Sequence, residues 1–253
     1  MQHYSEYHKL LATQAHIWFC HPSEFDNSYE LDLAKNWLSK EELKKYQKIF
    51  YKEDRIQYLV SHVMLRRVLS EYIDLHPKLW QYDSNSYGKP FISYKHKIIN
   101  LQFNLSHTRR LIALIITQKE NCGIDIELIR PLNDYFNIAR LVFSQNERIT
   151  MSKINNNDVL KNYFFSLWTL KEAYIKARGI GLSLDLKKIS FSFGKNKSIN
   201  LFIESELHDH SDSWQIDLFP VNPDHMCGVC LHTMEKDKLK IIKNSFNKTY
   251  LTL

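Results

Sequence analysis

Helix-type and strand-type patterns occupy separate stretches of this 253-residue chain, and they follow one another in the same order twice. In the first half, helical spacing of apolar residues covers 39–50 and 54–72, and strand-like runs follow at 91–94, 102–105, 111–117 and 122–127. In the second half, helical patterns cover 138–142, 147–151 and 159–177, and strand-like runs follow at 189–193, 200–203, 213–218 and 226–232. Because strands grouped after helices leave no βαβ alternation, this order predicts an α+β fold, and its recurrence favours two similar halves.

The composition is that of an ordinary globular protein, with 44% hydrophobic and 25% charged residues. The longest apolar run, 111–116, is far shorter than the roughly 20 residues that span a bilayer, and the polar N-terminus does not resemble a secretory signal. Four cysteines do not make a disulfide framework, so we expect a cytoplasmic protein. The net charge of +6 favours an anionic ligand or an acidic partner without requiring nucleic acid.

A capping-box sequence opens the first helical pattern. Ser39 is followed three residues later by Glu42, and such a pair satisfies the free N–H groups at a helix start. The face opposite the apolar stripe is basic and carries Lys40, Lys44, Lys45, Lys48 and Lys52. Two interpretations of this face stay open: a solvated lysine surface and a rim that attracts phosphate groups.

Two carboxylates stand two residues apart on the strand pattern at 122–127. Side chains at i and i+2 face the same side of a strand, so Asp125 and Glu127 should lie roughly 6.6–7 Å apart. If that side is buried, the two charges repel, and a hard divalent cation would relieve the cost. If it faces solvent, the alternation with Ile124 and Ile126 marks only a strand edge.

The helical pattern at 159–177 carries a second candidate cluster. Trp168, Glu172 and Lys176 are spaced four apart and share one helix face. A surface Glu–Lys pair is the simpler interpretation, but Phe164 continues the same face and indicates partial burial. A carboxylate from this helix would complete a Mg²⁺ site with the strand pair, because Mg²⁺ prefers a few carboxylates together with water and phosphate oxygens.

A third cluster combines a hydroxyl, an imidazole and a lysine. Ser106 and His107 end a strand pattern and can hold a phosphate, while Lys89 adds a cation on the turn between Gly88 and Pro90. Neighbouring strand residues point to opposite faces, so a nucleophile–base dyad of Ser106 and His107 is not predicted.

The last strand pattern contains residues of the types that bind zinc, which are His225, Cys227, Cys230 and His232. The odd separation of the two cysteines places them on opposite strand faces. A single Cys-x-x-Cys without a second pair is also a weak signal. We therefore do not predict zinc.

Four motifs, in this order, closely resemble the 4′-phosphopantetheinyl transferase superfamily, in its larger single-chain Sfp type. They are Gly-Lys-Pro at 88–90, Phe-Asn-Leu-Ser-His at 103–107, Gly-Ile-Asp-Ile-Glu at 123–127, and Trp-Thr-Leu-Lys-Glu-Ala-Tyr-Ile-Lys at 168–176 with glycines at 179 and 181. The third and fourth motifs are highly specific when they occur together. The resemblance covers roughly residues 38–232.

The resemblance implies two similar helix-plus-antiparallel-sheet halves, 1–122 and 123–253, related by a pseudo-twofold, with the active site in the cleft between them. It implies a Mg²⁺-dependent enzyme that transfers 4′-phosphopantetheine from coenzyme A to a serine of an acyl or peptidyl carrier protein. Adenosine 3′,5′-bisphosphate would be the second product. The implied partners are the carrier protein and coenzyme A, and we expect a monomer that binds neither nucleic acid nor membrane.

The resemblance also implies roles for individual residues. The metal ligands would be Asp125, Glu127 and Glu172. Glu172, or a water that it orders, would be the base, and Lys176 would contact the displaced phosphate. The residues implied to bind coenzyme A are Lys44, Lys45, Gly88, Lys89, Pro90, Ser106, His107, Asp125 and Lys176.

Two questions stay open after the resemblance is drawn. Many relatives carry a basic residue near Gln57 or His62, and the candidates to replace it are Arg55, Arg66 and Arg67. The alternative function is a catalytically silent scaffold that binds coenzyme A or a nucleotide, and the retained carboxylates and Lys176 disfavour it.

Overall fold

The structure, a computed structural model, describes residues 5–26, 28–93, 100–119, 121–132, 134–233 and 237–251. Two units divide the chain. The first contains the described parts of Met1–Asp83, Pro90–Gln118 and Leu239–Leu253, and the second those of Ser84–Lys89 and Lys119–Lys238. Helices accompany mainly antiparallel sheets in both, which confirms the α+β class. The pseudo-twofold, the division at residue 122 and the placement of the site between halves stay predictions.

The regular elements follow the chain in this order. The helices are α1 (Glu6–Leu10), α2 (Tyr29–Ala34), α3 (Lys40–Lys48), α4 (Lys52–Tyr72), α5 (Tyr135–Val142), α6 (Gln145–Ser152) and α7 (Asn157–Arg178). The strands are β1 (Gln14–Cys20), β2 (Tyr82–Ser84), β3 (Pro90–Ile92), β4 (Gln102–Thr108), β5 (Leu111–Thr117), β6 (Cys122–Leu128), β7 (Ile189–Phe193), β8 (Ile199–Ile203), β9 (Trp214–Asn222), β10 (His225–His232) and β11 (Lys240–Ser245). In the described part of the chain, no helix has the length and apolar character needed to cross a membrane.

The first unit is built on a four-stranded sheet in the order β11-β1-β5-β4, in which β1 and β11 run parallel and the other pairs antiparallel. Helix α4 packs its buried side into the core of this unit. The predicted capping box opens α3: the Ser39 hydroxyl accepts from the Glu42 amide at 3.1 Å, and the Glu42 carboxylate accepts from the Ser39 amide at 2.6 Å. The cap fixes where the lysine-rich helix begins.

The second unit packs α7 against an antiparallel sheet in the order β6-β10-β9. The two elements approach closely at Gly123, where an added Cβ would lie 2.0 Å from the Ala173 carbonyl oxygen and 2.4 Å from the Ala177 nitrogen. Only a residue without a side chain fits this contact. The glycine of the Gly-Ile-Asp-Ile-Glu motif therefore allows α7 to lie directly on β6.

The predicted elements are present, with ends that differ by a few residues. The strand predicted at 91–94 is β3, and Tyr94 lies outside the described residues. The structure adds α1, α2, β1, β2 and β11, which no sequence pattern had indicated. Strand β1 is buried on both faces and therefore lacks the alternation that marks a half-exposed strand.

Candidate active site

The carboxylates of β6 face helix α7. Asp125 is only 4% exposed, and the Lys176 ammonium donates to its Oδ1 at 2.6 Å. Glu127 is half-buried, and the Trp168 indole N–H donates to its Oε1 at 2.9 Å. The alternative of a solvent-facing strand edge is therefore wrong. The Gly-Ile-Asp-Ile-Glu motif on β6 and the motif at 168–176 on α7 therefore lie side by side, as a shared metal site would require.

The carboxylates influence one another strongly. Burial and the neighbouring Asp125 charge raise the pKa of Glu127 to about 7, against the opposing effects of Trp168 and Lys176. Burial and Asp125 also raise the pKa of Glu172, and Lys176 partly offsets this rise. Like charges brought together in a partly buried place disfavour ionisation. The site thus holds more negative charge than its lysine neutralises.

The donor set suits a hard cation, although no group of three or more His, Cys, Asp or Glu side chains among the described residues is arranged to hold a metal ion. Asp125, Glu127 and Glu172 supply oxygen ligands of the kind that Mg²⁺ takes. The raised pKa values of both glutamates show that positive charge at this place would stabilise the ionised cluster. By their chemistry, these residues fit the predicted ion.

Lys89 is half-buried in the second unit. It donates to the carbonyl oxygens of Cys122 and Ala177, each at 3.0 Å, and burial lowers its pKa. The predicted turn is present, and Gly88 occupies the left-handed region with φ of +86°. Pro90 begins β3. The Lys89 side chain is thus engaged with backbone groups at the start of β6 and the end of α7.

In the first unit, Ser106 is buried and His107 is exposed, which confirms that they point to opposite faces of β4. The His107 Nδ1 lies 2.7 Å from the Gln57 side-chain nitrogen on α4. Lys44 and Lys45 are both exposed on α3. These residues supply the imidazole and ammonium groups that the sequence predicts for phosphate binding.

The arginines of α4 differ in their availability. Arg66 is 2% exposed, donates to the Pro77 and Trp80 carbonyls, and pairs with Glu42 at 2.6 Å. Arg67 donates to a backbone carbonyl at 2.8 Å and also forms an ion pair one turn along α4. Both are held by structural partners, so Arg55 is the candidate that stays open.

Two cavities adjoin the predicted residues. One of about 710 Å³ is lined by Ser23, Tyr51, Glu53, Asp54, Gln57, Arg109 and Arg110 in the first unit. The other, of about 160 Å³, is lined by Glu127, Arg130, Leu132, Ile138, Phe164, Phe165 and Trp168 in the second. Arg109 and Arg110 were not predicted from the sequence, and the signal available for them is their position directly after the Phe-Asn-Leu-Ser-His motif.

Two family models match the chain. The model described as "4′-phosphopantetheinyl transferase superfamily" matches residues 121–230, and the model described as "4′-phosphopantetheinyl transferase, N-terminal" matches residues 24–119. The first covers the described carboxylates, Trp168 and Lys176. The second covers α3, α4 and the His107 strand.

Curated relatives align over most of the chain. The 4′-phosphopantetheinyl transferase HetI of Nostoc sp. is 32% identical over 174 residues, which cover 69% of this chain and 72% of that protein. The 4′-phosphopantetheinyl transferase ffp of Bacillus subtilis is 30% identical, covering 79% and 85% respectively. Sfp of Bacillus subtilis is 29% identical, covering 77% and 82%.

Among solved structures, the holo-[acyl-carrier-protein] synthase of Thermotoga maritima aligns with a TM-score of 0.37 and 16% identity. That alignment covers 46% of this chain and 65% of the other chain.

Proposed function

Because this chain belongs to the 4′-phosphopantetheinyl transferase superfamily, as a member of its Sfp type, we propose that it transfers the 4′-phosphopantetheine group of coenzyme A to a serine of an acyl or peptidyl carrier protein. The observation that carries the proposal is the cluster of Asp125, Glu127 and Glu172 beside Lys176. Bringing three carboxylates together in a partly buried place destabilises a fold. Such a cluster is therefore retained for a function, and Lys176 beside it supplies the cation that phosphoryl transfer needs.

The proposed reaction exchanges one phosphorus–oxygen bond for another. The serine oxygen bonds to the phosphorus that bears pantetheine, and the bond from that phosphorus to the bridging oxygen breaks. Adenosine 3′,5′-bisphosphate leaves with that oxygen. The serine proton passes to Glu172, directly or through a water that Glu172 orders. Lys176 offsets the negative charge on the displaced phosphate.

Asp125, Glu127 and Glu172 would hold the proposed Mg²⁺. When bound, this ion would supply positive charge to offset that of the pyrophosphate of coenzyme A. The chain itself orients the ligands, because Trp168 fixes one oxygen of Glu127 and Lys176 fixes one oxygen of Asp125. Such partners hold metal ligands in place and tune their basicity.

Coenzyme A binding is proposed for residues that resemble the family's motifs. His107 and Lys45 would contact the 3′-phosphate, with Lys44 as the neighbouring alternative. Ser106 would contact a phosphate, and the backbone of the Gly88–Pro90 turn would border the adenine. Asp125 and Lys176 would adjoin the pyrophosphate.

The charge of the chain supports the proposed partner. A net charge of +6 complements coenzyme A, which bears several phosphates, and a carrier protein with an acidic surface. We propose that the enzyme acts as a cytoplasmic monomer without nucleic acid.

Mass spectrometry of apo carrier proteins tests the proposal. Carriers of fatty-acid, polyketide and nonribosomal-peptide type are each incubated with the protein, coenzyme A and Mg²⁺, and we expect at least one to gain one phosphopantetheine group. The same carrier with its acceptor serine changed to alanine should gain nothing. Binding of coenzyme A by calorimetry without modification of any carrier would instead identify a silent scaffold.

A further inference from the structure

We propose that Lys89 and Asn85 are positioning residues that fasten β6, which carries Asp125, to α7, which carries Lys176. The proposal rests on the proposed function, because the reaction whose groups they would position is that transfer. Both residues belong to the turn segment Ser84–Lys89 of the second unit. The proposal assigns the Lys89 ammonium to the protein rather than to coenzyme A.

The Lys89 ammonium joins the two elements directly. Its two hydrogen bonds, each 3.0 Å, reach the carbonyl of Cys122 at the start of β6 and that of Ala177 in the last turn of α7. The last four carbonyls of a helix lack partners within the helix, and a lysine is favourable there because it also opposes the helix dipole. One cation thus satisfies acceptors on both elements.

Asn85 adds a second bond at the same helix end. Its side-chain amide donates to the Gly179 carbonyl at 2.6 Å. Its side-chain oxygen accepts from the amides of Tyr87 and Lys89 at 3.0 and 2.9 Å. An asparagine that bonds its own turn in this way makes the turn rigid. Asn85 therefore holds Lys89 in place and contacts α7 at once.

The packing leaves little room for the helix end to shift. Gly179 caps α7 with φ of +65°, and an added Cβ would lie 2.9 Å from the Lys89 Cδ and 3.2 Å from the Asn85 amide nitrogen. Gly123 makes a similarly close contact between β6 and α7. A close-packed contact of this kind transmits small displacements instead of absorbing them.

The two carbonyl groups that Lys89 binds belong to residues close in sequence to the proposed site residues. Ala177 directly follows Lys176, and Cys122 stands three residues before Asp125. The 2.6 Å pair between Lys176 and Asp125 joins the same two elements that Lys89 joins. We call the hydrogen bonds of Lys89 and Asn85 to β6 and α7 the clamp. Because a misplacement of about 1 Å can reduce a rate by about 100-fold, loss of the clamp should lower kcat.

The test compares Lys89→Met with the wild type. Methionine keeps the length of the side chain and removes its donors, and the exposed Lys195→Met in the same unit is the control for the lost charge. We expect kcat to fall by at least about 10-fold while KM for coenzyme A stays within about 3-fold. We expect the control to leave both unchanged.

Hydrogen–deuterium exchange provides a readout that does not require activity. We expect Lys89→Met to raise exchange in residues 122–126 and 176–181, with exchange unchanged in the α6 segment of the same unit. If Lys89→Met does not fold, the same measurements are made on Asn85→Ala, which loses the hydrogen bond to Gly179.

Two results would overturn the clamp. A KM for coenzyme A raised by 10-fold or more at unchanged kcat would show that Lys89 binds the substrate. Unchanged exchange in both segments, or an increase spread over the whole unit, would show that the contacts do not position this site. If the wild type modifies no carrier, the proposed function fails, and the exchange result alone decides the clamp.

Discussion

At the level of single residues, the candidate site is defined by charge that the protein only partly neutralises. Burial, and after it the charge of Asp125, raises the pKa of both Glu127 and Glu172, and Lys176 opposes this rise in both cases. A fold that serves stability alone would replace such residues with neutral ones. Function and stability should therefore separate when one of these carboxylates is changed.

We predict that Glu172→Gln abolishes transfer and stabilises the metal-free protein. Glutamine has nearly the same shape, and it removes a charge that burial and Asp125 disfavour. We expect the melting temperature to rise by about 1–3 °C in calorimetry with EDTA. Glu204→Gln, at an exposed position of the same unit, is the control and should change neither property. A destabilised Glu172→Gln variant would argue against mutual repulsion in the cluster.

A second residue-level prediction concerns His16, which is buried in the first unit. Its Nδ1 lies 2.9 Å from the Tyr72 hydroxyl and its Nε2 2.9 Å from the Gln14 side-chain oxygen. Burial lowers the pKa of His16, so the unfolded chain takes up a proton first on acidification. Its stabilising contribution is complete above about pH 6.5 and is lost as the pH falls through the folded-state pKa.

We therefore expect the free energy of unfolding to fall between pH 7.5 and 5, and to fall less in His16→Gln. Urea titrations of both proteins at the two pH values measure this difference. An equal pH dependence would mean that His16 does not contribute to the acid sensitivity of the fold.

At the level of elements, α7 organises the second unit because it contacts the sheet through one side and α6 through another. Lys171, on α7, pairs with Glu147 of α6 at 2.8 Å, and both side chains are 1% exposed. The Lys171 ammonium also donates to the Leu186 and Ile189 carbonyls. Glu172 is the next residue on the same helix.

We predict that Lys171→Met destabilises the protein by about 3–5 kcal/mol, because it leaves the buried Glu147 carboxylate without its cation. The double variant Lys171→Met/Glu147→Gln should recover part of this loss. Lys161→Met, which removes an exposed pair on the same helix, is the control and should have little effect. Chemical denaturation measures the free energy of unfolding of all three variants. A double variant less stable than Lys171→Met would contradict the explanation.

The sequence predicts those elements whose patterns are local. The capping box at Ser39 and the strand at 111–117 follow from neighbouring residues, and both are present as predicted. Strands β1 and β11 were missed because β1 is buried on both faces and β11 pairs with residues more than 200 positions away. The same limit applies to Asp125 and Glu127, whose burial depends on α7 and not on their own strand.

For the site, the motifs identified the carboxylates, Trp168 and Lys176, and the structure brings them together. The contacts of Lys89 could not be predicted, because the carbonyls that it binds have no sequence signature. The role of Asn85 was missed for a similar reason, since an asparagine before Tyr-Gly indicates a turn and says nothing about α7.

At the level of the whole molecule, the two units are interleaved along the chain. The C-terminal segment Leu239–Leu253 belongs to the first unit. Its strand β11 pairs with β1, and Phe246 and Leu251 lie in the core of that unit. The second unit contains the candidate carboxylates, α7 and the turn at Ser84–Lys89. The net charge of +6 belongs to the molecule as a whole and matches an anionic substrate and an acidic partner.

Asp125 lies at the centre of the cluster that we propose performs phosphopantetheine transfer, so a change of this one residue tests the proposed function. An apo carrier protein is incubated with coenzyme A, Mg²⁺ and either the wild type or Asp125→Asn, and its mass is followed over time. We predict that the wild type converts all of the carrier to its modified form. We expect Asp125→Asn to transfer at a rate at least about 100-fold lower, with an unchanged circular dichroism spectrum. Transfer by Asp125→Asn at the wild-type rate would contradict the proposed function.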